Sequence, residues 1–258
     1  MITKADIKLI HSLADRKGRR KSGLFLSEGF KLTGELLSAG HRPAKVFATE
    51  EWTDAHREAL EYEGLVSLVT ETELKSASLL QHPHQVIALF PTPLYNLTEA
   101  KSAKNSLLLA LDGVQDPGNL GTIVRLSDWF GIEDIVCSLD TVDIFNPKAI
   151  QATMGAVARV RVHYTNLALY ISEARKLDIP IYGTFLDGLN IYEQNLTPNG
   201  IIVMGNEGNG ISVDVAPLVS RRLFIPAFPT GRVTTESLNV GVATAITCAE
   251  FRRRSALL

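Results

Sequence analysis

Cysteine is almost absent from this chain of 258 residues: there are two, Cys137 and Cys248, each in an apolar segment with neither CxxC nor Cys/His spacing around it. That excludes a disulfide-stapled scaffold and a thiolate zinc site, and leaves two reduced core thiols. No stretch approaches the roughly 18 consecutive apolar residues of a membrane span. The opening "MITKADIKLIHSLADRKGRRKSG" scatters charges where a signal peptide needs an unbroken apolar run, so a cytoplasmic protein without a membrane partner is expected. Net charge is scarce too, −2 at pH 7 with a pI near 6.3. Attraction to nucleic acid must therefore come from local clusters. A Walker A ending (GKS or GKT) is missing, and no GxGxxG follows the first strand of either half. Nucleoside triphosphates and dinucleotides lose their support. Internal repeats and low-complexity segments are likewise absent.

What is present is 45% apolar content, ample for a folded core, arranged as alternating helical and strand-like segments. Up to about residue 90 the pattern predicts a small α/β domain: a polar helix over 3–17, "LFLSEG" extended, "FKLTGELLSAG" helical, "AKVFAT" extended, a helix over 54–63, "LVSLV", a helix over 71–80 and "QVIALF". Residues 91–105, "PTPLYNLTEAKSAKN", are polar with two prolines and read as a linker. From 106 to 258 a second α/β series follows. Its strands are "SLLLALDGV", "DIVCSL", "ARVRVHY", "IPIYGTF", "GIIVMGN" and "RRLFIPA", with helices over 119–130, 147–153, 166–177 and 237–254. Apolar strands separated by amphipathic helices imply a mostly parallel sheet covered on both faces, with ligands gathering at the carboxyl ends of its strands.

Three of those strand ends are unusual. "LDGVQDPGNLGTIVRLSDWFG" runs an apolar strand through Asp112, Gly113 and Asp116 into a helix that Asn119 is expected to cap. Gly121 lies four residues before Arg125 and leaves room beneath its guanidinium, so Arg125 either meets a ligand or pairs with Asp128 on the surface. "IVMGNEGNGIS" breaks a buried strand into Gly205, Gly208 and Gly210 around one carboxylate, Glu207. Such a loop is expected to offer free N–H groups to an adenosine-like ligand or a cation, or else simply to turn the chain. "FIPAFPTGRVTTESLNVGVATAITCAEFRRR" opens the last helix with Ser237 and Asn239, where four N–H donors lack partners. It places small residues such as Gly241, Ala243 and Thr244 on that helix. Two basic blocks remain: Arg16, Lys17, Arg19, Arg20 and Lys21, and Arg252 to Arg254. Each is either solvated surface or a phosphate contact.

Taken in order, "DPGNLGTIVR", "NPKAIQATMGAVARV", "IVMGNEGNGIS" and "IP…SLNVGVATAI" resemble the motifs of the SpoU-type RNA ribose 2′-O-methyltransferases of the SPOUT superfamily, over roughly residues 106–254. The N-terminal portion is similar to the ribosomal-protein-like RNA-binding domain that often precedes that catalytic domain. The resemblance implies a deep trefoil knot in the C-terminal domain and S-adenosylmethionine as cofactor, with no metal. It also implies a homodimer and an RNA substrate, ribosomal rather than transfer RNA. By the same likeness Gly205, Ile225, Ala227 and Leu238 belong to the cofactor pocket, with Gly210 shaping its loop. Asn119, Arg125, Glu207, Ser237 and Asn239 match the catalytic positions, and the block of residues 16–21 becomes an expected RNA contact. Two departures stand out: ten residues, "AFPTGRVTTE", separate Pro226 from Ser237, a few more than in many relatives, and Ala227 occupies a place often filled by Met. The alternative is a catalytically silent RNA-binding or ribosome-assembly protein of the same fold. A nucleotide-cofactor oxidoreductase ranks last for want of a dinucleotide fingerprint.

Overall fold

A computed structural model describes residues 1–57, 61, 64–229 and 236–255. In chain order the first part holds α1 (Lys4–Ser12), α2 (Arg16–Ser22), β1 (Leu24–Glu28), α3 (Phe30–Ser38), β2 (Lys45–Ala48), α4 (Glu50–Ala55), β3 (Val66–Leu68), α5 (Glu71–Ala77) and β4 (Val86–Pro91). The remainder holds β5 (Leu107–Leu111), α6 (Pro117–Trp129), β6 (Asp134–Cys137), α7 (Pro147–Thr153), β7 (Arg161–Tyr164), α8 (Leu167–Lys176), β8 (Ile181–Asn190), β9 (Gly200–Met204), β10 (Arg221–Phe224) and α9 (Val240–Ser255). The chain divides into two compact units, Met1–Leu94 with Asp143–Arg159, and Tyr95–Val142 with Val160–Leu258.

The first unit is built on a four-stranded sheet in the order β1-β4-β2-β3. β4 runs antiparallel to β1 and β2, and β3 lies parallel to β2. Where one helix over 3–17 was expected, two form. Thr3 starts α1 with a capping box to Asp6, and the chain breaks at Leu13 to Asp15 before α2 begins. Arg19 holds that break by donating from Nη1 to the carbonyl oxygens of Leu13 and Ala14, at 2.8 and 3.0 Å. The helix expected over 54–63 is α4, ending at Ala55; residues 58–60 and 62–63 lie outside the described residues. Residues 143–159, which include α7 and most of the second resembling segment, pack in this unit: Phe145 lies against Phe25 and Arg159 pairs with Glu35.

The second unit is a six-stranded sheet, β10-β8-β9-β5-β6-β7, in which every pairing is parallel. β5 and β9, "LLLAL" and "GIIVM", are buried along their whole length, as a central strand covered on both faces must be. Successive strands run outward from β5 through β6 to β7, whereas β8, β9 and β10 lie on its other side. The order therefore reverses between β5 and β9, the kind of switch point where open α/β sheets bind ligands. Their register pairs Leu111 with Met204, so the loops that follow the two strands leave the sheet side by side. The segment read as a linker is anchored here from residue 95 onward. Thr98 donates to Asp134 at 2.7 Å, and Ala100 and Ala103 are buried in a 3₁₀ turn. Cys137 and Cys248 are both buried and unpaired. Burial pushes their thiols up, Cys248 to about 12, as inert core residues require.

Candidate active site

The loop after β5 and the loop after β9 are tied to each other before either can face a ligand. Asp112, buried at the end of β5, donates its N–H to Met204 O at 2.9 Å and accepts from Ser212 N–H through Oδ2 at 2.7 Å. Asn206 does the same from the other side, donating from Nδ2 to Gly113 O at 2.7 Å. Its Oδ1 accepts the N–H groups of Gly208 and Asn209, both at 2.9 Å. A reciprocal backbone pair joins Asn206 and Gly210, again at 2.9 Å each way. Of the two readings left open for this loop, a set of free N–H donors or a simple turn, the second describes four of its N–H groups, those of Asn206, Gly208, Asn209 and Gly210, which are taken up within the loop. The glycines serve its shape. Gly210 sits at φ +69°, which L-residues avoid, and a Cβ on Gly205 would stand 2.2 Å from the carbonyl carbon of Gly210. What the loop delivers is Glu207, exposed at its tip.

Glu207 is reached by the first motif. α6 starts at Pro117, two residues earlier than expected, with Asp116 rather than Asn119 as its N-cap; Asp116 Oδ1 accepts from Asn119 N–H at 2.7 Å. Asn119 therefore has its side chain free for other work. Its Nδ2 donates to Glu207 Oε1 at 2.9 Å, and its Oδ1 accepts from Asn239 Nδ2 at 2.9 Å. Asn239 in turn caps α9, its Oδ1 accepting from Gly241 and Val242 N–H at 2.9 and 3.2 Å. α9 accordingly begins at Val240, three residues later than the sequence suggested. One chain of amides runs from a helix N-terminus to a carboxylate and joins the three sequence motifs. Ser237 lies two residues before Asn239 and is exposed.

Arg125 stands on α6 two steps of i, i+3 beyond Asn119, about 9 Å along the axis. It is exposed, and among the described residues it enters no hydrogen bond or ion pair; the surface pairing with Asp128 does not form. The C-terminal basic block behaves otherwise. Arg252 donates to the carbonyls of Phe130 and Gly131 at 2.7 and 3.0 Å, capping the end of α6. Arg253 and Arg254 both hold buried Glu250, and Arg254 also reaches Tyr192 O. The hydrogen bond from Arg253, with that from Arg254, outweighs burial and keeps the Glu250 carboxyl below its ordinary value. In the first unit, Arg16, Lys17, Arg20 and Lys21 are exposed. Arg19 departs from that group. It is 5% exposed and bonds Asp143 through Nε and Nη2 at 3.0 and 2.7 Å, so its role is structural.

The residues expected to hold the cofactor present apolar side chains and main-chain groups of the kind an adenosine-like group would use. Ile225 is half-buried, Leu238 is 48% exposed and Ala227 is exposed, so apolar surface is available on either side of residues 230–235, which lie outside the described set. Among the described residues the main-chain polar groups of Ile225, Ala227 and Leu238 make no hydrogen bond, which leaves them for a ligand's heteroatoms. Asn206 was not singled out from the sequence, and Asp112 and Asp116 were named only as part of the turn into α6, although an Asx residue beside glycines or ahead of a proline signals a turn or cap.

The family model described as the SpoU rRNA Methylase family matches residues 106–249. The chain belongs to that family. A second model, the MRM3-like substrate binding domain, matches residues 4–88. Among curated relatives, the 23S rRNA (guanosine(2553)-2′-O)-methyltransferase RlmP of Bacillus subtilis is 31% identical over 96% of this chain and 94% of its own. Among solved structures, a protein assigned to the TrmH family of RNA methyltransferases from Porphyromonas gingivalis superposes with a TM-score of 0.87 at 39% identity, covering 98% of this chain and 99% of that one. An AdoMet-bound rRNA methyltransferase from Sinorhizobium meliloti superposes with a TM-score of 0.84 at 27% identity, over 100% and 97%. This SpoU-family chain is an RNA ribose 2′-O-methyltransferase that uses S-adenosylmethionine.

Proposed function

We propose that this protein methylates a ribose 2′-hydroxyl of large-subunit ribosomal RNA, with Arg125 acting on the RNA and the Glu207–Asn119–Asn239 chain orienting the nucleotide. The observation that carries the reading is the hydrogen-bonded union of the three motifs beside a cation that has no protein partner among the described residues. The rRNA activity named for the Bacillus relative supports the substrate class, since that relative matches over nearly its whole length.

Methyl transfer to an alcohol needs the hydroxyl placed in line with the methyl donor and its developing negative charge stabilised. S-adenosylmethionine, when bound, supplies a methyl group activated by positive sulfur. Gly205, Ile225, Ala227 and Leu238 would hold it through main-chain groups and apolar contact, with Gly210 shaping the loop. Arg125 stays protonated, because a guanidinium loses its proton only above about pH 12. It therefore serves as an electrostatic partner, either stabilising the alkoxide or gripping the neighbouring phosphate with a bidentate contact. Glu207 has Oε1 engaged by Asn119, which leaves Oε2 to accept from the ribose, while Asn239 holds Asn119 in turn and Ser237 is assigned to the site by its match to the third motif. Mapping ribose methylation in RNA from cells with and without the gene tests this directly. One 2′-O-methyl in 23S rRNA should vanish with the gene, and a loss confined to tRNA would move the substrate assignment.

The knot and the dimer belong to this proposal as well. The knot accords with the return of the chain from β10, at the sheet's edge, to Asn239 beside Asn119. Trp129 on α6 and Val242 on α9 are 85% and 50% exposed on two helices that pack together, and a second copy would cover such apolar side chains. Sedimentation should give twice the chain mass. A ribosomal RNA substrate accords with a cytoplasmic protein.

A further inference from the structure

Resting on the reading that the substrate is RNA, we infer that a cavity between α5 and the loop entering β4 takes an unpaired nucleotide of that substrate, outside the site of methyl transfer. The cavity measures about 420 Å³, and its lining includes Glu71, Thr72, Lys75, Gln81, His82 and His84. Pockets for small groups start near 300 Å³, so a single base with its sugar fits. It lies wholly within the segment that matches a substrate-binding domain.

The lining suits a nucleotide in each of its parts. Two exposed imidazoles offer flat faces on which a base stacks, the usual way single-stranded RNA is held. The Gln81 amide both donates and accepts and can read a base edge, while Thr72 reaches sugar hydroxyls. Lys75 supplies the charge for a phosphate. Glu71 beside it disfavours a second phosphate and accepts from an exocyclic amine, which favours a nucleotide over a bare polyanion.

The loop is also held in place from behind. Glu28, 3% exposed, accepts from the Ser78 hydroxyl and from Leu79 N–H at 3.0 Å, clamping the residues just ahead of the cavity. At the other end Gln85 Nε2 donates to Glu51 at 2.7 Å. His84 is seated over Gly29, its Cδ2 3.6 Å from where a Cβ would be. Polar side chains exposed on a loop fixed at both ends are pre-organised for binding, which lowers the entropy cost of association.

The test uses the intact chain and transcribed 23S rRNA fragments carrying 4-thiouridine. After irradiation, crosslinked peptides are identified by mass spectrometry, and methyl-transfer kinetics follow for Lys75→Ala and the double variant His82→Ala with His84→Ala. The cavity should yield crosslinks within residues 81–85, and both variants should raise KM for RNA about tenfold. Their kcat and their calorimetric affinity for S-adenosylmethionine should stay unchanged, which also shows that they fold. Crosslinks confined to residues 16–21, or an unchanged KM in both variants, would overturn the inference while leaving the methyltransferase intact. Crosslinks at 81–85 in a chain that methylates no RNA would keep the cavity and refute the activity.

Discussion

The two basic regions of this chain look alike on paper and behave as opposites. In the last turn of α9, Arg252, Arg253 and Arg254 all have partners within the protein, one as a cap on α6 and two on Glu250. In α2, only Arg19 is drawn in, and Arg16, Lys17, Arg20 and Lys21 remain exposed. Arg125 on α6 belongs with the second group. A cation that already has its carbonyl or carboxylate cannot offer the same donors to RNA without loss elsewhere. Partnership, more than local charge density, thus separates the arginines that hold the fold from those that can meet a substrate.

Breaking that division should give its largest effect at Arg19. Arg19→Ala leaves Asp143 without its partner in a nearly buried site and should cost about 3–5 kcal/mol. Arg20→Ala, one residue away and exposed, should stay within about 0.5 kcal/mol. Denaturant unfolding of both would settle whether α2 contains two kinds of arginine. Next comes Arg252→Ala, which strips two carbonyl partners from the end of α6 and should cost about 1–3 kcal/mol. Methyl transfer per folded molecule should survive it, and a specific loss of RNA affinity there would blur the division. A smaller effect is expected from replacing Arg16, Lys17, Arg20 and Lys21 together with Ala. Stability should hardly change, while the slope of log RNA affinity against log salt should flatten by about 0.7 for each phosphate that the variant no longer neutralises.

The smallest effect concerns a paired group in the second unit. Burial alone would raise the pKa of Asp134, but hydrogen bonds from His163, Arg161 and Thr98 prevail and hold its carboxyl well below the ordinary carboxylate range. A carboxylate depressed in the folded state contributes stability that is fully present above its unfolded pKa, near 4, and is lost as pH falls through the folded value. Stability should therefore decline in strong acid, and Asp134→Asn should flatten that part of the pH profile while lowering stability at pH 7.

Much of this was legible in the sequence because the second unit is so regular. A fully apolar run such as "LLLAL" has few homes besides the centre of a parallel sheet, and β5 and β9 lie there. The motif positions Asn119, Glu207 and Asn239 were legible as candidates by resemblance. Their linkage was not, since it depends on sheet order bringing residues 88 and 120 positions apart within 2.9 Å. The glycine loop left two readings open for a related reason. Glycine signals a turn, but whether its N–H groups face outward depends on Asn206, whose one side chain absorbs two of them. The first unit was harder still. Its early polar segment has helical spacing throughout, and only the Arg19 contacts to Leu13 and Ala14 show why it breaks in two. Residues 143–159 carry a resemblance to the catalytic domain yet pack with the first unit, a placement that local pattern has no means to express.

The central claim is that the guanidinium of Arg125, which has no partner among the described residues, works on the RNA and not on the cofactor. Single-turnover methyl transfer to 23S rRNA by Arg125→Ala, measured together with its calorimetric affinity for S-adenosylmethionine, addresses it most directly. The account predicts a rate reduced by about 10²–10³ or more, with cofactor affinity close to that of the unaltered chain. A rate within a few-fold of the original, or a loss of rate that follows loss of cofactor binding, would contradict it.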